Sequence, residues 1–229
     1  GRLILGGNAF KNDITRRYQA DEYYALEREV VDTLENLFPL CKVLPIKAYK
    51  SKPSFGDMDV LIDSKFLPTN WVEIIYSHFR VMDSIKNSNV LSFVYKQFQI
   101  DLITTKPEEF KTSYHYFAYN DLGNLLGRLA HSLGLKLGHD GLSYNWRVET
   151  YHFRDVILLT EWKDILPVLG LSWKRYEQGF ETLEDIFKFV VSSPFFHKDI
   201  FQLHNRNHAA RIRDEKRKTY TEFLKWIED

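Results

Sequence analysis

Two acids on one face of a strand demand a positive partner, and Ser54-Phe55-Gly56-Asp57-Met58-Asp59-Val60-Leu61-Ile62 has that form. Val60, Leu61 and Ile62 favour β-structure, and Gly56 marks where the strand begins. Side chains alternate along a strand, so Asp57 and Asp59 point one way and Met58, Val60 and Ile62 the other. Carboxylates about 7 Å apart along one strand repel each other, and a divalent cation relieves the repulsion. A second run, Phe98-Gln99-Ile100-Asp101-Leu102-Ile103-Thr104, is apolar and β-rich with one acid at its centre. If the two strands are neighbours, Asp101 completes a three-carboxylate cluster. Mg²⁺ takes hard oxygen ligands, few of them from protein, and leaves the rest to water and phosphate. Two such ions about 3.5–4 Å apart support in-line displacement at phosphorus. The plainer reading is a set of solvated acids at strand ends.

Length and composition narrow the setting. A chain of 229 residues, 44% hydrophobic and 15% aromatic, folds into one large domain or two small ones with real cores. Thirty-one basic residues balance 31 acidic ones. That excludes an overall electrostatic attraction to nucleic acid or anionic membrane and leaves only local clusters. The lone Cys41 excludes an internal disulfide and a Cys-rich zinc site, and fits a reducing, cytoplasmic compartment. No apolar run reaches the ~20 residues of a membrane span and no signal peptide is visible, so no membrane partner is expected. The start at Gly1 reads as a tag scar or a processed end.

Along the chain, Gly6-Gly7-Asn8 reads as a turn. Tyr23, Leu26, Val30, Leu34 and Leu37 recur at helical spacing, predicting a helix from Asp21, its N-cap, to Phe38 before Pro39. Val43–Tyr49 reads as a strand. Lys47, Lys50 and Lys52 with Ser51 and Ser54 then precede the acidic strand. Lys50, Ser51 and Lys52 suit phosphate oxygens, and Gly56 would admit a ligand close to the backbone. Taken alone, the same loop reads as a solvated basic turn. Asn70 with Glu73 forms a capping-box pattern, predicting a helix over Trp71–Phe79. Val90–Tyr95 and Phe98–Thr104 read as strands. Residues 1–106 are thus an α+β unit, a mixed sheet backed by helices, and 107–229 are mainly helical.

In that second part Asn120 is expected to cap a helix to Leu133, with Asp121, Asn124 and Arg128 on one polar face. Leu135–Tyr144 reads as a hairpin around Asp140-Gly141. Val156–Thr160 reads as a strand, and Thr182 with Asp185 starts a helix to about Val191. Asn205 to Lys218 is basic, and Arg211, Arg213 and Lys216 on such a helix could grip a phosphate backbone. A solvated charged helix would look the same. His204 and His208 stand four apart without an acidic or Cys companion, which is not a metal-ligand pattern.

These residues resemble the DNA polymerase beta-like nucleotidyltransferases, and within them the family X polymerases. Gly56-Asp57-Met58-Asp59-Val60-Leu61-Ile62 is similar to that family's Gly-Asp-x-Asp strand, and Gln99-Ile100-Asp101-Leu102 to its third metal-binding carboxylate. Tyr116-Phe117 resembles the Tyr-Phe pair beneath the incoming nucleotide. Asp121, Asn124 and Arg128 stand where the family contacts the base, the minor groove and the template strand. The resemblance covers about residues 20–145. It implies a palm in the first half and nucleotide-binding helices after it. It further implies two Mg²⁺ ions, with Mn²⁺ as the alternative, on Asp57, Asp59 and Asp101, an NTP or dNTP as donor, and a nucleic-acid 3′-hydroxyl as acceptor, DNA ahead of RNA.

The chain also departs from the pattern. The family's Gly-Ser before the acidic strand is here Lys47-Ala48, so a triphosphate contact would have to come from Lys50, Ser51 or Lys52. The family's Gly after Tyr-Phe-x is here Tyr119, which removes the basis for inferring a sugar preference. The family's N-terminal lyase and helix-hairpin-helix modules have no counterpart ahead of the first helix. Residues beyond about 150 do not match, and the Gly6-Gly7-Asn8 start is similar to small phage-encoded nucleotidyltransferases. Transfer to RNA, to a protein hydroxyl or to a small molecule is the rival within enzymes. An inactive palm that only binds nucleic acid is the rival outside them.

Overall fold

The computed structural model describes residues 9–10, 14–149, 152–203 and 217–229. It is a mixed α/β structure whose chain divides into two compact units, Gly1–Ile46 with Lys52–Phe110, and Lys47–Ser51 with Lys111–Asp229. The expected boundary at 106/107 did not foresee that the short strap Lys47–Ser51 groups with the second unit.

In the first unit α1 (Ala20–Leu37) buries Tyr23, Leu26, Val30 and Leu34, four of the five apolar positions expected. Its N-cap is Gln19 rather than Asp21, and the Gln19 N–H donates to Glu22 Oε1 at 3.2 Å. Asp21 instead lies in the first turn, where a negative charge complements the helix dipole. Strand β1 (Tyr18–Gln19) pairs antiparallel with β3 (Ser54–Phe55). Tyr23 stacks on Phe55 with centroids 3.7 Å apart.

A five-stranded sheet runs in the order β2 (Val43–Pro45), β4 (Asp57–Asp63), β7 (Phe98–Thr105), β6 (Val90–Tyr95) and β5 (Ser84–Asn87). Only the β4–β7 pairing is parallel, so the sheet is mixed. Helix α2 (Trp71–Phe79) has the expected bounds, but the Asn70 side chain makes no capping bond. Strand β5 was not foreseen, since Ser84-Ile85-Lys86-Asn87 carries little β-propensity. The strand expected over Val43–Tyr49 ends at Pro45. Beyond Ile46 the backbone bonds elsewhere: Tyr119 N–H donates to Lys47 O, Lys50 N–H to Phe180 O and Ser51 N–H to Glu181 O, all at 2.8–2.9 Å.

The β6–β7 hairpin turns on Lys96 and Gln97, both left-handed with φ of 52° and 62°. Positive φ at both central positions is the type I′ turn, which Asn and Gly normally supply. Here the Tyr18 hydroxyl donates to Lys96 O, and the Arg16 N–H donates to Gln97 O at 2.9 Å. Gln97→Gly is expected to stabilise the protein by about 0.5–1 kcal/mol, relieved strain outweighing the extra freedom of an unfolded glycine. The urea midpoint measures it, and an unchanged or lower value would show that the Gln97 side chain stabilises the turn.

The second unit holds α3 (Phe110–Phe117) from Lys111 on, α4 (Leu122–Ser132), α5 (Trp162–Val168), α6 (Trp173–Glu177), α7 (Leu183–Val191) and α8 (Lys218–Glu228). The N-cap of α4 is Asp121, not Asn120, because Tyr119 and Asn120 both adopt φ of 59° and reverse the chain between α3 and α4. Gly123 is required there: a Cβ would lie 2.3 Å from Tyr116 O. The expected capping box on α7 forms, with the Asp185 N–H donating to Thr182 Oγ1 at 3.1 Å and the Thr182 N–H to Asp185 Oδ2 at 3.2 Å. The expected Asp-Gly hairpin forms between β8 (Lys136–Gly138) and β9 (Gly141–Glu149), and β10 (His152–Leu159) adds a third antiparallel strand. One apolar core joins α4 to α8 through Leu125, Leu126, Leu129, Phe187, Phe201 and Phe223. The Gly6-Gly7-Asn8 turn and the basic stretch with Arg211, Arg213 and Lys216 lie outside the described residues. Among the described residues no helix is long and apolar enough to cross a membrane.

Candidate metal centre

Parallel pairing of β4 with β7 sets Asp59 directly across from Asp101, and Asp57 across from Gln99. Alternation puts all four on one face of the sheet. The opposite face is the core, where Met58, Val60, Ile62, Ile100 and Leu102 are fully buried. One carboxylate oxygen from each of Asp57, Asp59 and Asp101 lies within 4.8 Å of the others. The convergence expected from the two acidic strands is therefore present.

Asp101 is fully buried and held from both sides. Ser92, its partner on β6, donates from Oγ to Asp101 Oδ1 at 2.6 Å. Gln99 Nε2 donates to both carboxylate oxygens at 3.0 and 3.1 Å, and Gln99 Oε1 accepts from the Ala9 N–H at 3.2 Å. The last contact orients the amide so that its nitrogen faces the acid. Ser92 and Gln99 were missed by the sequence reading. Gln99 could have been found, since it is two residues from Asp101 on the same strand face; Ser92 needed the β6–β7 register.

The electrostatics are unfavourable without a cation. Burial pushes the Asp59 carboxyl well above the usual range, and the charges of Asp57 and Asp101 push it the same way. Asp101 is raised first by burial and then by Asp57, with Ser92 and Gln99 opposing. Asp59 Oδ1 is buried and has no hydrogen-bond donor. A buried acceptor left without a donor is costly. An all-oxygen set with one orphaned atom fits a hard divalent cation, with Asp57 and Asp59 only partly buried and able to leave positions for water or phosphate. On helix α1 burial raises the Glu27 carboxyl, opposed by the neighbouring Tyr23 hydroxyl.

Raised carboxyl pKa values fix a sign. Between the unfolded value of about 3.9 and the raised folded values, the folded state holds protons that the unfolded chain has released. The cation-free fold therefore loses stability as pH rises through that window. A cation binds only the deprotonated cluster, so its stabilising effect grows with pH. Mg²⁺ or Mn²⁺ is expected to raise the melting temperature more at about pH 8 than at about pH 5, measured against EDTA. An equal rise at both values would mean that these carboxylates are not the ligands.

The remaining sequence candidates fall as follows. Gly56 sits at the bend between β3 and β4. Lys52 lies in the first unit with Nζ 4.7 Å from the Phe55 ring centre. Arg17, not foreseen, donates from Nε and Nη2 to Ser54 Oγ at 3.2 and 3.1 Å. Lys50, Ser51, Tyr116, Phe117, Asp121, Asn124 and Arg128 belong to the second unit. There the Arg128 guanidinium donates to Ile200 O from Nε at 3.0 Å and Nη2 at 2.8 Å, and Asp121 pairs with Arg217 at 3.4 Å. These polar groups tie α4 to the C-terminal part of their own unit. Asn124 Nδ2 is buried without an acceptor. Tyr119 has a left-handed backbone, with φ of 59°, which Gly adopts freely and a bulky residue does not. Its ring is buried against Phe180 and Tyr176, at 4.9 and 5.7 Å, which offsets the strain.

No protein-family model matches the chain, and no curated protein matches it either.

Proposed function

We propose that this protein is a Mg²⁺-dependent nucleotidyltransferase that moves a nucleotide from an NTP or dNTP to a 3′-hydroxyl, with a DNA end as the favoured acceptor. The observation that carries the proposal is the meeting of Asp57, Asp59 and Asp101 within 4.8 Å, one of them with an orphaned buried oxygen. In this reading the first unit is a nucleotidyltransferase palm. Asp57 and Asp59 would hold both ions and Asp101 one of them; bound, they activate the attacking hydroxyl and neutralise the phosphates. The rest of the work is positioning. Ser92 and Gln99 fix the Asp101 carboxylate, Lys52 supplies a cation next to β3, and Gly56 leaves room at the start of β4. DNA ranks ahead of RNA only through the resemblance of the two acidic strands to DNA polymerases; on α4, Asp121 and Arg128 are engaged within their own unit.

The test incubates the protein with Mg²⁺, labelled NTPs and dNTPs, and a panel of gapped duplex, single-stranded DNA, RNA and protein. Label at a DNA 3′ end is the expected result. Label on RNA or protein alone would keep the chemistry and change the acceptor. No transfer to any of them would overturn the reading.

A further inference from the structure

The three-stranded sheet of the second unit presents aromatic rings to solvent. Tyr144 and Trp146 lie two apart on β9, on one face, and are 46% and 56% exposed. Their ring centres are 6.4 Å apart. Across the ladder, Val156 stands opposite Tyr144 and Arg154 opposite Trp146, and both are exposed. The acid of β10, Asp155, alternates to the other face. There Lys136 Nζ pairs with it at 3.0 Å and Asn145 Nδ2 donates to it at 2.9 Å. The described side chains of the aromatic face therefore combine two rings, an aliphatic residue and a cation, with no acid.

Neighbouring exposed apolar side chains on one sheet face, here Tyr144, Trp146 and Val156, are the kind of patch that marks an interaction site. Residues two apart on a strand are separated by about 6.8 Å. The two ring planes stand at 85°, so Trp146 and Tyr144 stack successive unpaired bases once one ring turns about its side-chain bonds, as exposed rings on an open sheet are free to do. Arg154 beside Trp146 is placed for the phosphate between them, and its positive charge suits a polyanion better than an apolar protein surface. We infer that the Tyr144/Trp146/Arg154 face of β9 and β10 binds an unpaired DNA strand by base stacking. The choice of DNA rests on the acceptor proposed above; the stacking site itself stands on the ribbon alone.

The test uses the full chain in EDTA without nucleotide, so that it does not depend on transfer. Binding of a fluorescent oligo-dT, an oligo-U of equal length and a blunt duplex is followed by anisotropy across salt concentrations. Preference for oligo-dT over duplex is expected. Trp146→Ala should weaken it about tenfold or more, Trp146→Phe should restore most of the loss, and Arg154→Gln should reduce the salt slope by about one ion. Circular dichroism checks that these exposed substitutions leave the fold intact. Equal affinity of Trp146→Ala and the parent protein would overturn the site, as would preference for duplex. Binding of oligo-U alone would overturn the choice of DNA. Self-association abolished by Trp146→Ala, without oligonucleotide binding, would assign the face to a second copy instead.

Discussion

Asp59→Asn is expected to abolish nucleotidyl transfer while making the metal-free protein more stable. The two effects have one cause. Asp59 contributes a buried oxygen without a donor and a charge that Asp57 and Asp101 both oppose. Asparagine has nearly the same shape and no charge, and its amide can donate to a neighbouring carboxylate. The repulsion falls, so the melting temperature in EDTA rises. The same change removes a charge that the proposed ions require, and transfer should drop by at least about 10²–10³-fold, the scale of losing one electrostatic contact to the transition state. The rise in melting temperature on adding Mg²⁺ should also shrink. Asp101→Asn should lose activity alike, because it too removes a charge that the proposed ions require; an asparagine oxygen in the Oδ1 position keeps the bond from Ser92 and one of the two from Gln99. Transfer near the parent level in either variant would sink the site. A lower melting temperature of Asp59→Asn in EDTA would show that the acid is needed for the fold.

How much of this was legible in the sequence depended on how local the signal was. Alternation alone separated Asp57 and Asp59 from Met58, Val60 and Ile62, and the burial pattern agrees. Periodicity found α1, and the exchange of bonds between Thr182 and Asp185 was readable from spacing. What failed was long-range or backbone-borne. Nothing in Lys47–Ser51 announces that its amides bond to residues 180 and 181 rather than to a sheet neighbour. The left-handed pair Tyr119–Asn120 carries no glycine to betray it, and so the cap was set one residue too early. Spacing put Arg128 on the polar face of a helix and could not show that its guanidinium donates to a carbonyl 72 residues away. The expected helix ending at Lys218 missed that α8 begins there, although Thr219, Tyr220, Phe223 and Ile227 recur at three and four.

That helix supplies the second large effect. Phe223→Ala is expected to destabilise the protein by about 3–5 kcal/mol, the range for truncating a fully buried phenylalanine. The ring is completely buried, with centroids of Phe201, Phe187 and Phe196 at 4.9, 5.3 and 6.3 Å. Three of its neighbours are themselves rigid rings, which cannot collapse into the space, so the cavity term stays close to full. A loss of that size approaches the whole stability of an ordinary domain, and the melting transition should fall by on the order of 10 °C. Tyr220, one turn earlier, donates its hydroxyl to Phe201 O at 2.7 Å and keeps α8 in register, so the variant should remain folded at low temperature. Leu40→Ala, at a side chain 75% exposed, is the control and should shift stability by no more than about 0.5 kcal/mol. The acidic cluster lies in the other unit, so Mg²⁺ should still raise the melting temperature of Phe223→Ala. If the variant melted with the parent protein, residues 218–228 would not be docked on this core, and the packing assigned to the second unit would be wrong.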